Sequence, residues 1–213
     1  MFAGESVPYR RWPWFAATLT LGAGLAHTIP NLESGLAFNR EASLSGQWWR
    51  LITGHFCHYN RSHVVGDVAA FFVWAAVVEL VSRRHLVMVL IATFTLVGIW
   101  LLGAAAAPVE YRGLSAVDCA LAAQLITLSM LDQRVRQNRW LTSAISMAGA
   151  IFAAKSCYEF ATCHAVLAPE LGQGVRLCPQ AHVLGISSGV LSGLLSRAGR
   201  NAKTRRRGHE AMA

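Results

Sequence analysis

The chain has 213 residues, of which 54% are apolar and 14% charged, where a soluble domain carries about a quarter of its residues as charges. A net charge of +8 and a pI near 9.9 would suit nucleic acid, but the charges sit in clusters between long apolar runs. That pattern fits basic flanks on membrane helices, so a nucleic-acid partner is set aside and a lipid bilayer is the expected surrounding.

A helix needs about 20 apolar residues to cross the hydrocarbon, and the sequence predicts six such spans. The first covers about 12–29, with Pro13 near its start, where a missing N–H costs little. Its basic flank, Arg10 and Arg11, is not followed by a small-residue cleavage site, so a retained helix is expected rather than a cleaved signal. A polar segment rich in Trp, His and Arg fills 30–61. The second span, 62–81, closes at Arg83 and Arg84, and the third, 86–106, stops before Pro108. The fourth runs over 115–131, followed by a polar, basic connector at 132–139. The fifth covers 141–158 and the sixth 179–195. The predicted fold class is all-α: a six-helix membrane domain over residues 1–196, with a basic tail at 197–213 that its charge density marks as disordered.

Lys and Arg set the orientation. With the N-terminus inside, the inside segments hold Arg10, Arg11, Arg83, Arg84, the three arginines of the connector and the whole basic tail. That is 13 of the 19 basic residues. Both termini are therefore expected in the cytoplasm, as an even number of spans requires. Five cysteines form no CxxC pair, and the odd count leaves at least one thiol free. Cys157, Cys163 and Cys178 flank or occupy the segment between spans five and six, on the oxidising side. A Cys163–Cys178 bridge there is one expectation and Cys157–Cys163 a competing one.

Polar groups inside apolar spans are costly and usually functional. Four stand out: Asp67, Ser115, Asp118 and His182. With this topology, His63 and Asp67 open span two, Ser115 opens span four and His182 opens span six. All lie at one depth, just below the outer surface. Competing readings exist for each. Ser115 with Asp118 also matches a helix capping box. His27, His63 and His182 could ligate haem. His55, Cys57 and His58 could bind zinc, although they lack the spacing and glutamate of a metalloprotease helix.

These residues together resemble a family. Trp49-Arg50, Thr53, His58 and His63 are similar to the first loop and second helix of rhomboid intramembrane proteases. Gly113-Leu114-Ser115-Ala116 resembles their Gly-x-Ser-small nucleophile motif, and Ala181-His182-Val183-Leu184-Gly185 their Ala-His-x-x-Gly base motif. The stretches Thr53–His58 and Tyr111–Ser115, with the compact length, are similar to the rhombosortase branch, which is associated with proteobacterial proteins bearing Gly-rich C-terminal sorting tails.

The resemblance implies an intramembrane serine endopeptidase with Ser115 as nucleophile and His182 as base. It further implies that His63 and the Ser115 backbone N–H bind the oxyanion, and that no cofactor or metal takes part. Trp49, Arg50 and His58 become structural residues of the first loop. Gly113 permits a tight turn before the nucleophile, while Ala116 and Gly185 are small enough for spans four and six to approach closely. Two positions depart from the family pattern. Asp67 stands where an asparagine is common, and as a buried carboxyl it could act protonated, as a donor. Cys119 replaces an aromatic ring that packs on the base, which makes Asp118 a candidate for orienting His182. The implied site opens to the periplasm across a bacterial inner membrane, and the partner is a membrane-anchored substrate with a C-terminal transmembrane tail. The alternatives are a general rhomboid protease without a sorting role and an inactive relative that binds membrane clients.

Overall fold

Asparagine caps and glycine or proline turns divide the chain where polar sequence gives way to apolar. The computed structural model describes residues 12–162 and 178–210. The elements in order are α1 (Trp14–Thr28), α2 (Leu32–Leu36), β1 (Phe38–Asn39), α3 (Arg40–Leu44), α4 (Arg50–Thr53), a 3-10 turn (Gly54–Phe56) and α5 (Arg61–Val81). After these come α6 (Arg83–Gly103), β2 (Glu110–Tyr111), α7 (Ser115–Leu131), α8 (Gln133–Gln137), α9 (Arg139–Thr162) and α10 (Pro179–Glu210). Asn60 caps α5, its side chain accepting from His63 N at 2.9 Å, which removes one of the orphan donors of the first turn.

The fold is all-α, with long helices on each of the six stretches read as spans. Helices α5 and α6, 21 residues each with mean hydropathy 2.1 and 2.4, are long and apolar enough to cross a bilayer, and α7 is apolar but shorter. Two boundaries differ from those expected. Helix α9 runs four residues past the predicted end of span five, to Thr162. Helix α10 continues beyond 195, through basic residues read as a disordered tail, to Glu210; Ala, Lys and Arg there are good helix formers. Cys163 lies outside the described residues, and with it both expected disulfide pairings.

The bundle exposes large apolar side chains, as a soluble domain does not, and its interior holds polar groups as well as apolar clusters. Leu21, Ile91 and Ile99 are 67%, 60% and 68% exposed, whereas Thr93, Gln124, Ser188 and Ser192 are buried. The buried polar groups pair across helices: Thr93 Oγ1 meets Ser188 Oγ at 2.7 Å, and Gln124 Nε2 donates to Ser192 Oγ at 3.1 Å. One apolar cluster, around Phe71, Leu86, Leu114 and Leu121, joins α1, α5, α6 and α7. A second, around Phe38, Val97, Leu101, Tyr111 and Ala181, joins the first loop to α6 and α10.

The polar segment between α1 and α5 is a folded brace rather than a plain loop. Strand β1 pairs antiparallel with β2, Phe38 opposite Tyr111 and Asn39 opposite Glu110, which ties the brace to the approach to Ser115. Arg40 donates to the carbonyls of Leu101, Ala104 and Ala107 at 3.0, 3.1 and 2.7 Å, capping the C-terminal end of α6. Arg50 donates to Ser34 O, Ala37 O and Gln47 Oε1, and Trp49 Nε1 to Gly35 O. At the opposite end of α5, buried Glu79 accepts from Phe15 N and Ala16 N, at 3.3 and 2.8 Å, and pairs with Arg83 at 2.7 Å. A buried carboxylate is tolerable only with such partners.

Helix α10 lies between α6 and α7, and its contact with α7 is backbone to backbone. A side chain at Gly185 would strike the Ala116 carbonyl and one at Gly189 the Ala120 carbonyl, well inside contact distance. Gly193 continues the same stripe against Thr127. This is small-residue packing of the kind that holds membrane helices together. Gly189→Val is expected to cost more than about 3 kcal/mol, because the obstacle is main chain and cannot yield as a side chain does. Gly149→Ala, whose Cβ would meet only Ile126 at 3.7 Å, should leave stability unchanged or raised by up to about 1 kcal/mol. Thermal unfolding in detergent distinguishes the two, and equal melting temperatures would contradict the close contact.

Candidate active site

The site is built from the turn that precedes α7. After Tyr111 is held in β2, the chain must reverse into a helix, and Gly113 does so at φ 121°, a conformation that disfavours a side chain. A Cβ there would also stand 3.0 Å from the His63 ring and 3.2 Å from Asp67 Oδ2. Gly113 N donates to Gly54 O at 3.3 Å, and Leu114 N to Asp67 Oδ2 at 3.0 Å. Thus the brace and α5 together fix the residues just before Ser115, the first residue of α7.

His182 sits in the first turn of α10 and is 4% exposed. Its Nε2 lies 2.9 Å from Ser115 Oγ, the distance of a hydrogen bond. The small-residue contact between α7 and α10 sets that distance, since Gly185 follows His182 by three residues and packs on Ala116. On the other edge of the ring, Nδ1 is 3.2 Å from Glu159 Oε2 of α9, at an angle that falls short of a hydrogen bond. Lys155 Nζ, one turn earlier on α9, stands 2.7 Å from the same oxygen.

Asp67 occupies the centre of a second polar group. Besides Leu114 N, its Oδ2 is approached by His63 Nε2 at 3.1 Å and His58 Nε2 at 3.6 Å. That oxygen accepts from Leu114 N–H, a role that does not call for the protonated donor expected from its difference from asparagine. His63 is engaged at both nitrogens, with Tyr59 N 3.5 Å from Nδ1 and the Tyr59 ring stacked on its own. To bind an oxyanion, His63 must swing off Asp67.

The remaining predicted residues fall into place as follows. Asp118 Oδ1 is buried without a hydrogen-bond partner and does not contact His182; the carboxylate facing that ring is Glu159. Cys119 is buried beside Asp118. His55 packs against Phe94 and Tyr111, and burial pushes its pKa down to about 4, so it is a neutral structural ring. His27 pairs with Glu33 at 3.1 Å, well away from His182 in the chain's layout. Glu159 was missed in the sequence because span five was ended at Tyr158, and Lys155, although inside that span, was read only for its charge. An oppositely charged pair four residues apart inside an apolar helix was the available signal.

Two cavities meet at Ser115 and His182. The first, of about 190 Å³, is polar at its rim, with Tyr59, Glu110, Arg112 and Gln180 around it. Arg112 stacks over the Tyr59 ring there, 5.3 Å from its centroid. The second, of about 680 Å³, is walled by Trp74, Leu125, Ile126, Ile151 and Phe152 of α5, α7 and α9 and carries Lys155 and Glu159 at its polar end. His63, Ser115 and His182 border both.

An all-helical membrane protein with a serine and a histidine in hydrogen-bond contact between two of its helices is the class that this fold and site define. The model of the rhomboid domain matches residues 45–198, and the chain belongs to the rhomboid family, whose members are generally intramembrane serine proteases. The match begins inside the brace, so α1 lies outside it. No curated protein matches the chain.

Asp67→Ala removes the acceptor of Leu114 N–H and the partner of two histidines, and is expected to lower stability by about 2–3 kcal/mol. Asp67→Asn keeps an acceptor oxygen and should lose less than half of that. Melting temperatures in detergent give the comparison, and an Asp67→Ala protein as stable as wild type would contradict the acceptor role.

Proposed function

We propose that the chain is an intramembrane serine endopeptidase in which Ser115 attacks a peptide bond and His182 is the base. The observation that carries this reading is the 2.9 Å approach of His182 Nε2 to Ser115 Oγ inside an apolar bundle. A serine hydroxyl is a poor nucleophile until a base takes its proton, and a base at hydrogen-bond distance is what activates it. His182 accepts the Ser115 proton as Oγ adds to the carbonyl carbon. The oxyanion so formed is met by backbone N–H groups at the start of α7, a helix N-terminus suited to negative charge. His182 returns the proton to the departing amine, leaving an acyl ester on Ser115. Water from the polar cleft loses a proton to His182 and attacks the ester, and His182 returns that proton to Ser115 Oγ as the carboxylic acid product leaves. No step needs a metal or cofactor.

In this reading the six long helices cross a bacterial inner membrane with both termini in the cytoplasm, and the polar cleft opens to the periplasm. The apolar chamber between α5, α7 and α9 supports a membrane-anchored substrate, because its walls suit an apolar segment rather than a soluble peptide. The likeness of Thr53–His58 and Tyr111–Ser115 to rhombosortases supports a narrower substrate: a secreted or surface protein ending in a Gly-rich stretch, one apolar helix and a basic cluster. Glycine helps because the bond must unwind before Ser115 can reach it, and each Gly disfavours helix by about 1 kcal/mol relative to Ala.

Ser115→Ala and His182→Ala are each expected to abolish cleavage while membrane expression stays intact. The double variant should be no worse than either single one, since members of one catalytic unit are not additive. Full activity in either single variant contradicts the assignment.

Replacing the glycine pair of a sorting tail by leucine should block cleavage without changing insertion, and mass spectrometry should place the cut just before the apolar helix. A tail cut equally well without its glycines would leave a general rhomboid protease in place of a sorting one.

A further inference from the structure

A buried carboxylate on a helix that carries neither Ser115 nor His182 calls for a reason. Glu159 is 1% exposed, in a helix whose other faces are apolar. Burying such a group costs several kcal/mol unless charges and donors compensate it, so its position is specified rather than tolerated. Lys155 compensates the charge at 2.7 Å, but an i,i+4 pair can form anywhere along a helix and does not explain why this one points at His182. The imidazole is bordered on one edge by a hydroxyl, Nε2 to Ser115 Oγ at 2.9 Å, and on the other by a carboxylate, Nδ1 to Glu159 Oε2 at 3.2 Å. That order, hydroxyl, imidazole, carboxylate, is the arrangement that fixes a histidine tautomer in serine hydrolases. Asp118, the carboxylate on the nucleophile's own helix, does not touch the ring.

We propose that Glu159 is a positioning residue that completes a Ser115–His182–Glu159 triad, with Lys155 holding the carboxylate in place. The inference rests on the protease reading for its kinetic consequence, although the contact can be tested without it. Glu159 holds the proton on Nδ1 and leaves the Nε2 lone pair directed at Ser115. When His182 takes the Ser115 proton, the resulting imidazolium lies against a carboxylate that is already oriented. At 3.2 Å the two atoms are already within hydrogen-bond distance, and only their orientation separates them from a bond. Among the described residues, the other titratable groups lining the cavities beside His182 are His63 and Asp67 from α5, Asp118 and Cys119 from α7, and Tyr59, Glu110, Tyr111, Arg112 and Cys178 around the polar one.

The test uses the full chain in detergent with two readouts, cleavage of a membrane-anchored substrate and the titration of His182 followed by nitrogen NMR with labelled histidine. The His182 signal is assigned by its loss in His182→Asn. Glu159→Gln is expected to lower kcat by about 100-fold with KM within threefold. It should also shift the His182 titration and the acid limb of kcat, since a negative charge beside the ring is lost. Glu159→Asp should restore the titration of the wild-type protein at least in part. If Glu159→Gln leaves lysine uncompensated and fails to fold, Lys155→Met/Glu159→Gln removes both charges and should fold while showing the same loss of kcat and the same shift. An unchanged His182 titration in a folded Glu159 variant overturns the proposal, whatever the activity. A wild-type protein no more active than Ser115→Ala overturns the protease reading instead, and the titration still decides the contact.

Discussion

Everything at the site depends on how closely two helices approach. Helix α10 presents Gly185, Gly189 and Gly193 to α7, and two of these rest directly on the carbonyls of Ala116 and Ala120. In a bilayer there is no hydrophobic force between helices, so close van der Waals fit and buried polar contacts carry the association. The same interface supplies both: Ser188 and Ser192, on the turns between the glycines, bond to Thr93 of α6 and Gln124 of α7. The glycine stripe sets the spacing, and the serine contacts fix the rotation and depth of α10. His182 therefore arrives beside Ser115 with little freedom left to lose.

The other polar groups hold the surroundings to that interface. Arg40 closes the end of α6, Glu79 fastens the start of α1 to α5, and Asp67 pins Leu114. Arg40 satisfies three backbone carbonyls, Glu79 two backbone N–H groups and Asp67 one, which hydrocarbon could not. The result is a brace on one side of the nucleophile and a helix on the other, with a cavity of opposite character opening to each. One is edged by charge and suits water; the other is walled by apolar side chains.

Much of this was legible in the sequence. Apolar runs of the right length marked each long helix, because in lipid a span must satisfy its own backbone and has few other options. Gly113 and Gly185 marked a tight turn and a close contact, since few other residues can stand there. What could not be read was which face of α9 turns inward. Its apolar residues show no strong stripe, as is usual when lipid and core are equally apolar, so Glu159 could be placed only by tertiary structure. Ending span five at Tyr158, one residue too soon, hid it and left Asp118 as the visible carboxylate. The short elements of the brace escaped for a different reason: two-residue strands and five-residue helices are held by Arg40, Arg50 and Thr53 reaching across the chain, not by local pattern. Asp67 was found, but its role was read from the residue it replaces; its hydrogen bond from Leu114 N–H is a tertiary contact that no local pattern announces.

Helix α10 has one further property, which concerns time. It follows every other helix in chain order, and His182 stands 67 positions after Ser115. A chain leaving the ribosome and threading helix by helix exposes Ser115 while α8 and α9 are still to be made. Until α10 arrives, the carbonyl-lined face of α7 has no cover and the serine has no base. In the protease reading, the nascent chain cannot acylate Ser115 at that stage, and neighbouring membrane proteins emerging beside it are spared. Competence is thereby tied to completion of the bundle.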